Sequence, residues 1–183
     1  YCKREEERGW GVLPDGRTPL KDKLGEKIAV ALNSAFFSDY AVVPSTAVAI
    51  IPKDVSFEIA SLLGCAVVSG YGAVVNTAEV QVGSSILVVG LGGVGLSSVM
   101  AAKIRGVYPI IGVDPSNERR DLGKQIGCDE VLTVDEFNSI DLKNFNGGFD
   151  TIIEASGSKP AIEKCISLLR RHGICVYAVS YTH

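Results

Sequence analysis

Residues Ser85 to Asp114 constrain the fold more than any other stretch of the chain. Ile86 to Val89 form an uninterrupted apolar run rich in β-branched side chains, which suits a strand buried on both faces of a parallel sheet. Gly90, Gly92 and Gly95 then spell G-x-G-x-x-G at the end of that strand. In such a turn the first glycine makes the bend, the second lets a pyrophosphate approach the backbone, and the third lets a helix pack closely on the strand. The helix expected from about Gly93 to Arg105 would aim its free N–H groups at that pyrophosphate, and Gly106 supplies its stop. Ile110 to Val113 read as a second buried strand, closed by Asp114, 19 residues after Gly95. A dinucleotide site wants a carboxylate there for the adenosine ribose hydroxyls. The glycine motif alone is a weak signal. Flanked by a strand, a helix and a correctly spaced acid, it predicts a nucleotide-binding βαβ unit. On these residues a glycine-rich turn in an ordinary α/β domain, or another ligand such as a methyl donor, stays open.

Composition narrows the class. The chain has 183 residues, a net charge of −3 and 46% hydrophobic residues, which argues against disorder and against a nucleic-acid footprint. No apolar run reads as long enough to cross a membrane, so neither a membrane nor a nucleic acid is an expected partner. The segment from Tyr1 to Arg8 is charged, unlike a signal peptide. Five cysteines, at 2, 65, 128, 165 and 175, are odd in number and lack C-x-x-C spacing. They are expected as reduced thiols of a cytoplasmic protein, and spacing alone predicts no zinc site. The abrupt charged start suggests a piece of something longer.

Taken in order, Tyr1 to Leu24 is loop-like, with a turn expected at Asp15-Gly16. Ile28 to Ile51 is strand-like, chiefly over Phe36 to Val43 and Ala47 to Ile51. Asp54 or Ser56 could cap a helix running through Leu63 and interrupted at Gly64; a second helix is expected over Val67 to Thr77, with Gly70 and Gly72 marking close packing. From Val82 onward strands and helices alternate. Strands are expected at about 85–89, 109–113, 130–133, 149–154 and 174–179, helices at about 93–105, 116–126 and 159–170, and a loop over Lys143 to Gly148. The reading is α/β: residues 67–183 form a doubly wound parallel sheet of Rossmann type, preceded by a partial, mainly β domain in residues 1–66. Such a sheet usually has six strands; five are visible. His172 reads as a helix C-terminal cap, and Cys128, Cys165 and Cys175 as core or semi-buried thiols.

The chemistry-bearing candidates are few. The charge of Asp114 would accept the ribose hydroxyls and repel a 2′-phosphate, favouring NAD over NADP. Arg119 lies five residues on and either borders the adenosine or serves only as a surface cation. Cys65, at the junction of the two predicted domains, reads on its own as a buried thiol.

Three blocks, Gly64-Cys65-Ala66-Val67-Val68-Ser69-Gly70-Tyr71-Gly72-Ala73, Gly90-Leu91-Gly92-Gly93-Val94-Gly95 and Ile110-Ile111-Gly112-Val113-Asp114, closely resemble the zinc-containing medium-chain alcohol dehydrogenases. Asp15 to Thr18 and Phe36 to Val43 resemble segments of that family's catalytic domain. The resemblance covers nearly the whole chain. It implies a GroES-like β domain followed by a Rossmann domain, with NAD and a catalytic zinc as cofactors and a small-molecule alcohol or aldehyde as substrate. It implies that Cys65 is a catalytic zinc ligand and that Cys2 belongs to a structural zinc lobe. It puts Ser69 and Val94 near the nicotinamide, Gly90, Leu91, Gly92, Gly93 and Gly95 against the dinucleotide, and Asp114 and Arg119 at the adenosine ribose. The remaining zinc ligands and the proton relay would precede Tyr1, so the chain reads as an internal fragment whose intact parent is a homodimer or homotetramer. The alternatives are an isolated dinucleotide-binding module without catalysis, or a zinc-free quinone or enone reductase.

Overall fold

The computed structural model describes residues 17–18, 20–28, 39–41, 43, 45 and 48–178. Two compact units are present, Tyr1–Pro52 and Lys53–His183. In the first, Lys21 and Lys27 form an antiparallel bridge around a turn whose Asp22 carboxylate accepts the Leu24 and Glu26 N–H groups, at 2.9 and 2.8 Å. The Asp15-Gly16 turn lies outside the described residues, as do Phe36, Phe37, Ser38 and Val42 of the strand expected over Phe36 to Val43; its other four positions carry no strand. Residues 48–51 carry no strand, although the pattern of Ala47 to Ile51 suggested one.

The second unit is a parallel sheet of five strands in the order β3-β2-β1-β4-β5: β1 Ile86–Val89, β2 Ile110–Val113, β3 Glu130–Leu132, β4 Phe149–Glu154 and β5 Leu169–Tyr177. β1 and β2 are buried along their whole length because helices cover both faces. Burying a Val, Leu or Ile fully is worth about 1.5–3 kcal/mol. Ile86, Leu87 and Val88 have no exposed surface, so β1 is the best-anchored element available to carry a site. One face is packed by α3 (Gly93–Ile104) and its neighbours, through Val99, Ala101 and Ala102. The other is packed by α5 (Val134–Asn138) and α6 (Lys159–Leu168), through Phe137, Cys165 and Leu168. This is the doubly wound arrangement expected from the alternating pattern.

Several local expectations are corrected. Gly64 does not interrupt the helix. The chain runs from α1 (Phe57–Leu62) through a π-helical turn, Leu63–Val67, into α2 (Val68–Gly72) and a second such turn, Ala73–Thr77. The resulting 21-residue run is long and apolar enough to cross a membrane by length and composition, contrary to the first reading. Its second half is instead packed in the domain. A Cβ at Gly70 would lie 2.3 Å from the Val94 carbonyl oxygen, so only glycine lets the run lie this close to α3. Gly72 shows no such crowding. α5 was not anticipated; Thr133 and Glu136 cap it reciprocally, Thr133 Oγ1 accepting the Glu136 N–H and Glu136 accepting the Thr133 N–H. Part of the expected loop at 143–148 is a 3₁₀ turn, Leu142–Phe145. β5 begins at Leu169, five residues early, and α6 ends sooner to match. His172 is therefore no helix cap: it sits within β5 at φ +66°, where the strand's pairing with β4 shifts register.

At the N-terminal end of the sheet Asp150 joins three strands. Its carboxylate accepts the Ser85 N–H at 2.9 Å and the Ser85 hydroxyl at 2.7 Å, and it pairs with the Arg170 guanidinium. Burial alone would raise this carboxyl, but those hydrogen bonds and the arginine charge outweigh it and hold it below its ordinary value.

Candidate functional site

The C-terminal end of β1 turns sharply. Gly90 has φ +92°, and a Cβ there would meet the Ser156 and Ala155 backbone at 2.8–2.9 Å, so a side chain is excluded by both conformation and space. A Cβ at Gly95 would sit 1.8 Å from the Gly90 carbonyl oxygen, which is why α3 can start directly against the strand. Gly92 caps α3 with extended backbone and opens onto free space. Geometry thus requires glycine at 90 and 95, whereas Gly92 leaves the space beside the turn open.

Asp114 follows β2 and is 2% exposed. One oxygen accepts the Leu91 N–H at 2.9 Å, across the turn, and the other accepts the Ser116 N–H at 2.9 Å. The Arg119 guanidinium approaches to 3.7 Å. Each carboxylate oxygen offers two lone pairs, so one on each remains for a further donor. Beside this carboxylate lies a cavity of about 370 Å³ whose lining includes Gly90, Gly92, Asp114, Arg119, Asn138, Ser156 and Ser158.

The structure therefore brings Gly90, Gly92, Asp114 and Arg119 together around one cavity. Leu91 contributes its backbone N–H, while its side chain is buried in the core. Gly93 and half-buried Val94 open α3, and Gly95 is packed beneath them. Ser69 and Cys65 are exposed on the neighbouring helical run and do not line the cavity. The expectation from the residues alone that Cys65 is buried is thus corrected: it sits on the outer side of a π-helical turn. Cys2 lies outside the described residues.

Sequence reading missed part of the cavity lining. Glu154, at the end of β4, has no exposed surface; its carboxylate accepts the Ser156 N–H at 2.9 Å, the Ser156 hydroxyl, and the Gly157 N–H at 3.3 Å. It holds the turn that presents Ser156 and Ser158. Only the capping pair Thr133 and Glu136, which positions Asn138, left a readable signal for this part. Among the described residues, Cys65, Cys128, Cys165 and Cys175 are free thiols. Burial first, and the Asp129 charge second, push the Cys128 thiol up to about 12, so it is chemically quiet.

Comparison with known proteins agrees with this geometry. Residues 93–180 match the family described as zinc-binding dehydrogenase. The S-(hydroxymethyl)glutathione dehydrogenase of Saccharomyces cerevisiae is 34% identical over 169 residues, covering 86% of this chain and 44% of that protein. A solved structure of an alcohol dehydrogenase zinc-binding domain protein from Burkholderia ambifaria superposes with a TM-score of 0.82 at 31% identity, covering 96% of this chain and 48% of that one. Residues 93–180 belong to the zinc-binding dehydrogenase family, and the chain as a whole is similar to zinc-containing alcohol dehydrogenases. Benzyl alcohol dehydrogenase from Acinetobacter calcoaceticus adds a TM-score of 0.80 at 29% identity, covering 96% and 48% of the two chains. The present chain spans about half the length of the relatives it matches. Within this family the parallel sheet and its glycine turn are shared architecture, whereas a zinc site needs a ligand set of its own. Among the described residues no three His, Cys, Asp or Glu side chains converge to hold a metal. Cys65 alone does not fit zinc, which requires at least three protein ligands in a catalytic centre.

Proposed function

We propose that this chain supplies the NAD-binding part of an alcohol dehydrogenase. The observation that carries the reading is the buried Asp114 carboxylate, hydrogen-bonded to the glycine turn and lining the same cavity as Gly90 and Gly92. NAD, when bound, supplies the hydride acceptor for an alcohol–aldehyde interconversion. The chain's own residues bind and orient it. Gly92 leaves the backbone open to a pyrophosphate at the start of α3. Gly93 and Val94 open α3 beside that turn, and Ser69 and Val94 are proposed to lie near the nicotinamide. Asp114 keeps a free lone pair on each oxygen for the ribose hydroxyls, and a 2′-phosphate would set two like charges together in a poorly solvated place. Arg119, more than half exposed, borders the same carboxylate without neutralising it in a tight pair.

Substrates of the relatives' kind, small alcohols and hydroxymethyl-thiol adducts, are proposed for the whole enzyme, as are its catalytic zinc, with Cys65 as one ligand, and its assembly as a homodimer or homotetramer. No step through zinc is assigned to the described residues. Their lack of a three-ligand cluster favours a second reading for this stretch by itself, a dinucleotide-binding module without catalysis. Calorimetric titration with NAD and NADP, paired with metal analysis after dialysis, separates these readings. NAD binding at least tenfold tighter than NADP, with zinc well below one per chain, is expected. Equal affinities would sink the role of Asp114, and stoichiometric zinc with NADH production would sink the module reading.

A further inference from the structure

Two thiols sit on facing elements behind the sheet. Cys165 lies in α6 with no exposed surface, and Cys175 lies half-buried in β5, opposite Ile152 of β4. They share one apolar cluster, and neither is in a disulfide. The Cys165 thiol donates to the Cys175 sulfur, and the Tyr177 hydroxyl donates to the same sulfur. Cys175 is half-buried while Cys165 has no exposed surface, so Cys175 is the sulfur a solute in water can reach.

We infer that Cys165 and Cys175 form a hydroperoxide-sensitive dithiol that closes to an intrachain disulfide, tying α6 to β5. The asymmetry of the pair assigns the roles. The hydrogen bond from Cys165 draws the Cys175 thiol below its ordinary value, with Tyr177 adding to the effect against the cost of burial and of the nearby Glu154 charge. The same hydrogen bond, together with burial, pushes the Cys165 thiol up. Cys175 is thus the attacking sulfur and Cys165 the resolving one. The Cys175 thiolate attacks one oxygen of hydrogen peroxide, the O–O bond breaks, and a sulfenic acid and hydroxide result, the hydroxide taking up the proton that Cys175 released on ionising to give water. The Cys165 sulfur then attacks the sulfenic sulfur. The S–O bond breaks, the hydroxide leaves with the Cys165 proton as a second water, and the S–S bond forms. Two thiols lose two electrons and peroxide gains them.

Neither cysteine lines the cofactor cavity, so this inference stands apart from the NAD reading. The sequence makes its test direct. Trypsin cuts after Lys164, Arg170 and Arg171, placing Cys165 on peptide 165–170 and Cys175 on peptide 172–183. The reduced full chain would be treated with hydrogen peroxide, alkylated, digested and analysed by mass spectrometry. The expected product is those two peptides joined, two hydrogens lighter than their sum and separated by dithiothreitol. Folded chains should lose two titratable thiols. In Cys165→Ser, Cys175 should halt as a sulfenic acid captured by dimedone. A sulfinic acid at Cys175 in the unmutated chain with no joined peptides would overturn the inference. So would joining that occurs only in urea, or that pairs Cys65 instead; these outcomes need no variant to fold.

Discussion

Asp114 and Glu154 occupy mirrored places on either side of β1. Val89 pairs with Val113 on one flank, just before Asp114, and with Glu154 on the other. Both carboxylates are buried, and both accept the N–H two residues on, from Ser116 and Ser156 respectively. They differ in what else they hold. Asp114 also takes the Leu91 N–H of the glycine turn and faces the cavity; Glu154 spends all its bonds on its own turn and does not line the cavity. One carboxylate borders the cavity itself, and the other holds a turn whose serines line it. Burial of a charged group therefore does not by itself mark a binding residue; its place against the cavity does.

The largest effect should come from breaking the structural member. Glu154→Ala removes the three hydrogen bonds that the buried carboxylate accepts from Ser156 and Gly157, and each hydrogen bond to a charged group is worth about 1.5–3 kcal/mol. Urea denaturation should show a loss of about 3–5 kcal/mol, with Glu154→Gln in between; a loss under about 1 kcal/mol would mean the turn holds itself. Asp114→Ala should weaken NAD about tenfold or more, in line with about 1.5–3 kcal/mol for a charge-assisted hydrogen bond, and narrow the gap to NADP, in addition to the stability lost when the buried Leu91 N–H loses its acceptor. Calorimetry on both cofactors checks it. Asp150, at the opposite end of the sheet, sharpens the contrast as a carboxylate remote from the cavity. Its folded value is depressed, so its contribution is complete above the unfolded value of about 3.9 and fades as pH falls through the lower folded value. Asp150→Asn should cost about 1–2 kcal/mol at neutral pH and flatten the pH dependence of the urea midpoint below about pH 4, with NAD affinity unchanged. The smallest effect is expected for Arg119→Ala. An exposed pair is worth about 0.2–1 kcal/mol, so NAD affinity should move only a few-fold, and less in high salt.

Half of this pair was legible before the structure. Ile86–Val89, the glycine turn, α3 and Ile110–Asp114 are local in sequence, and each residue type meets a requirement visible in its neighbours. The doubly wound parallel sheet followed from the alternation of strands and helices. Glu154 gave no such signal: it ends the apolar run Thr151-Ile152-Ile153, and its partners are defined only once the next turn is folded. The contact between Cys165 and Cys175 depends on where α6 crosses β5, which no spacing encodes. The early start of β5 was hidden because Arg170, Arg171 and His172 look like a helix end, while pairing with β4 and the Asp150–Arg170 ion pair favour a strand. The cap of α5 is legible in the chain, since Thr133 and Glu136 have capping-box spacing.

The central claim is that the turn at Gly90–Gly95 and the Asp114 carboxylate together form the dinucleotide site. Backbone amide NMR shifts during titration with ADP-ribose test it most directly, because that ligand carries the pyrophosphate and adenosine ribose without the nicotinamide. Ribose hydroxyls that share the Asp114 oxygens must weaken the hydrogen bonds from the Leu91 and Ser116 amides, and those two, with Gly92 and Gly93, should shift most. Saturable binding that leaves the Leu91 and Ser116 amides unmoved would contradict the account.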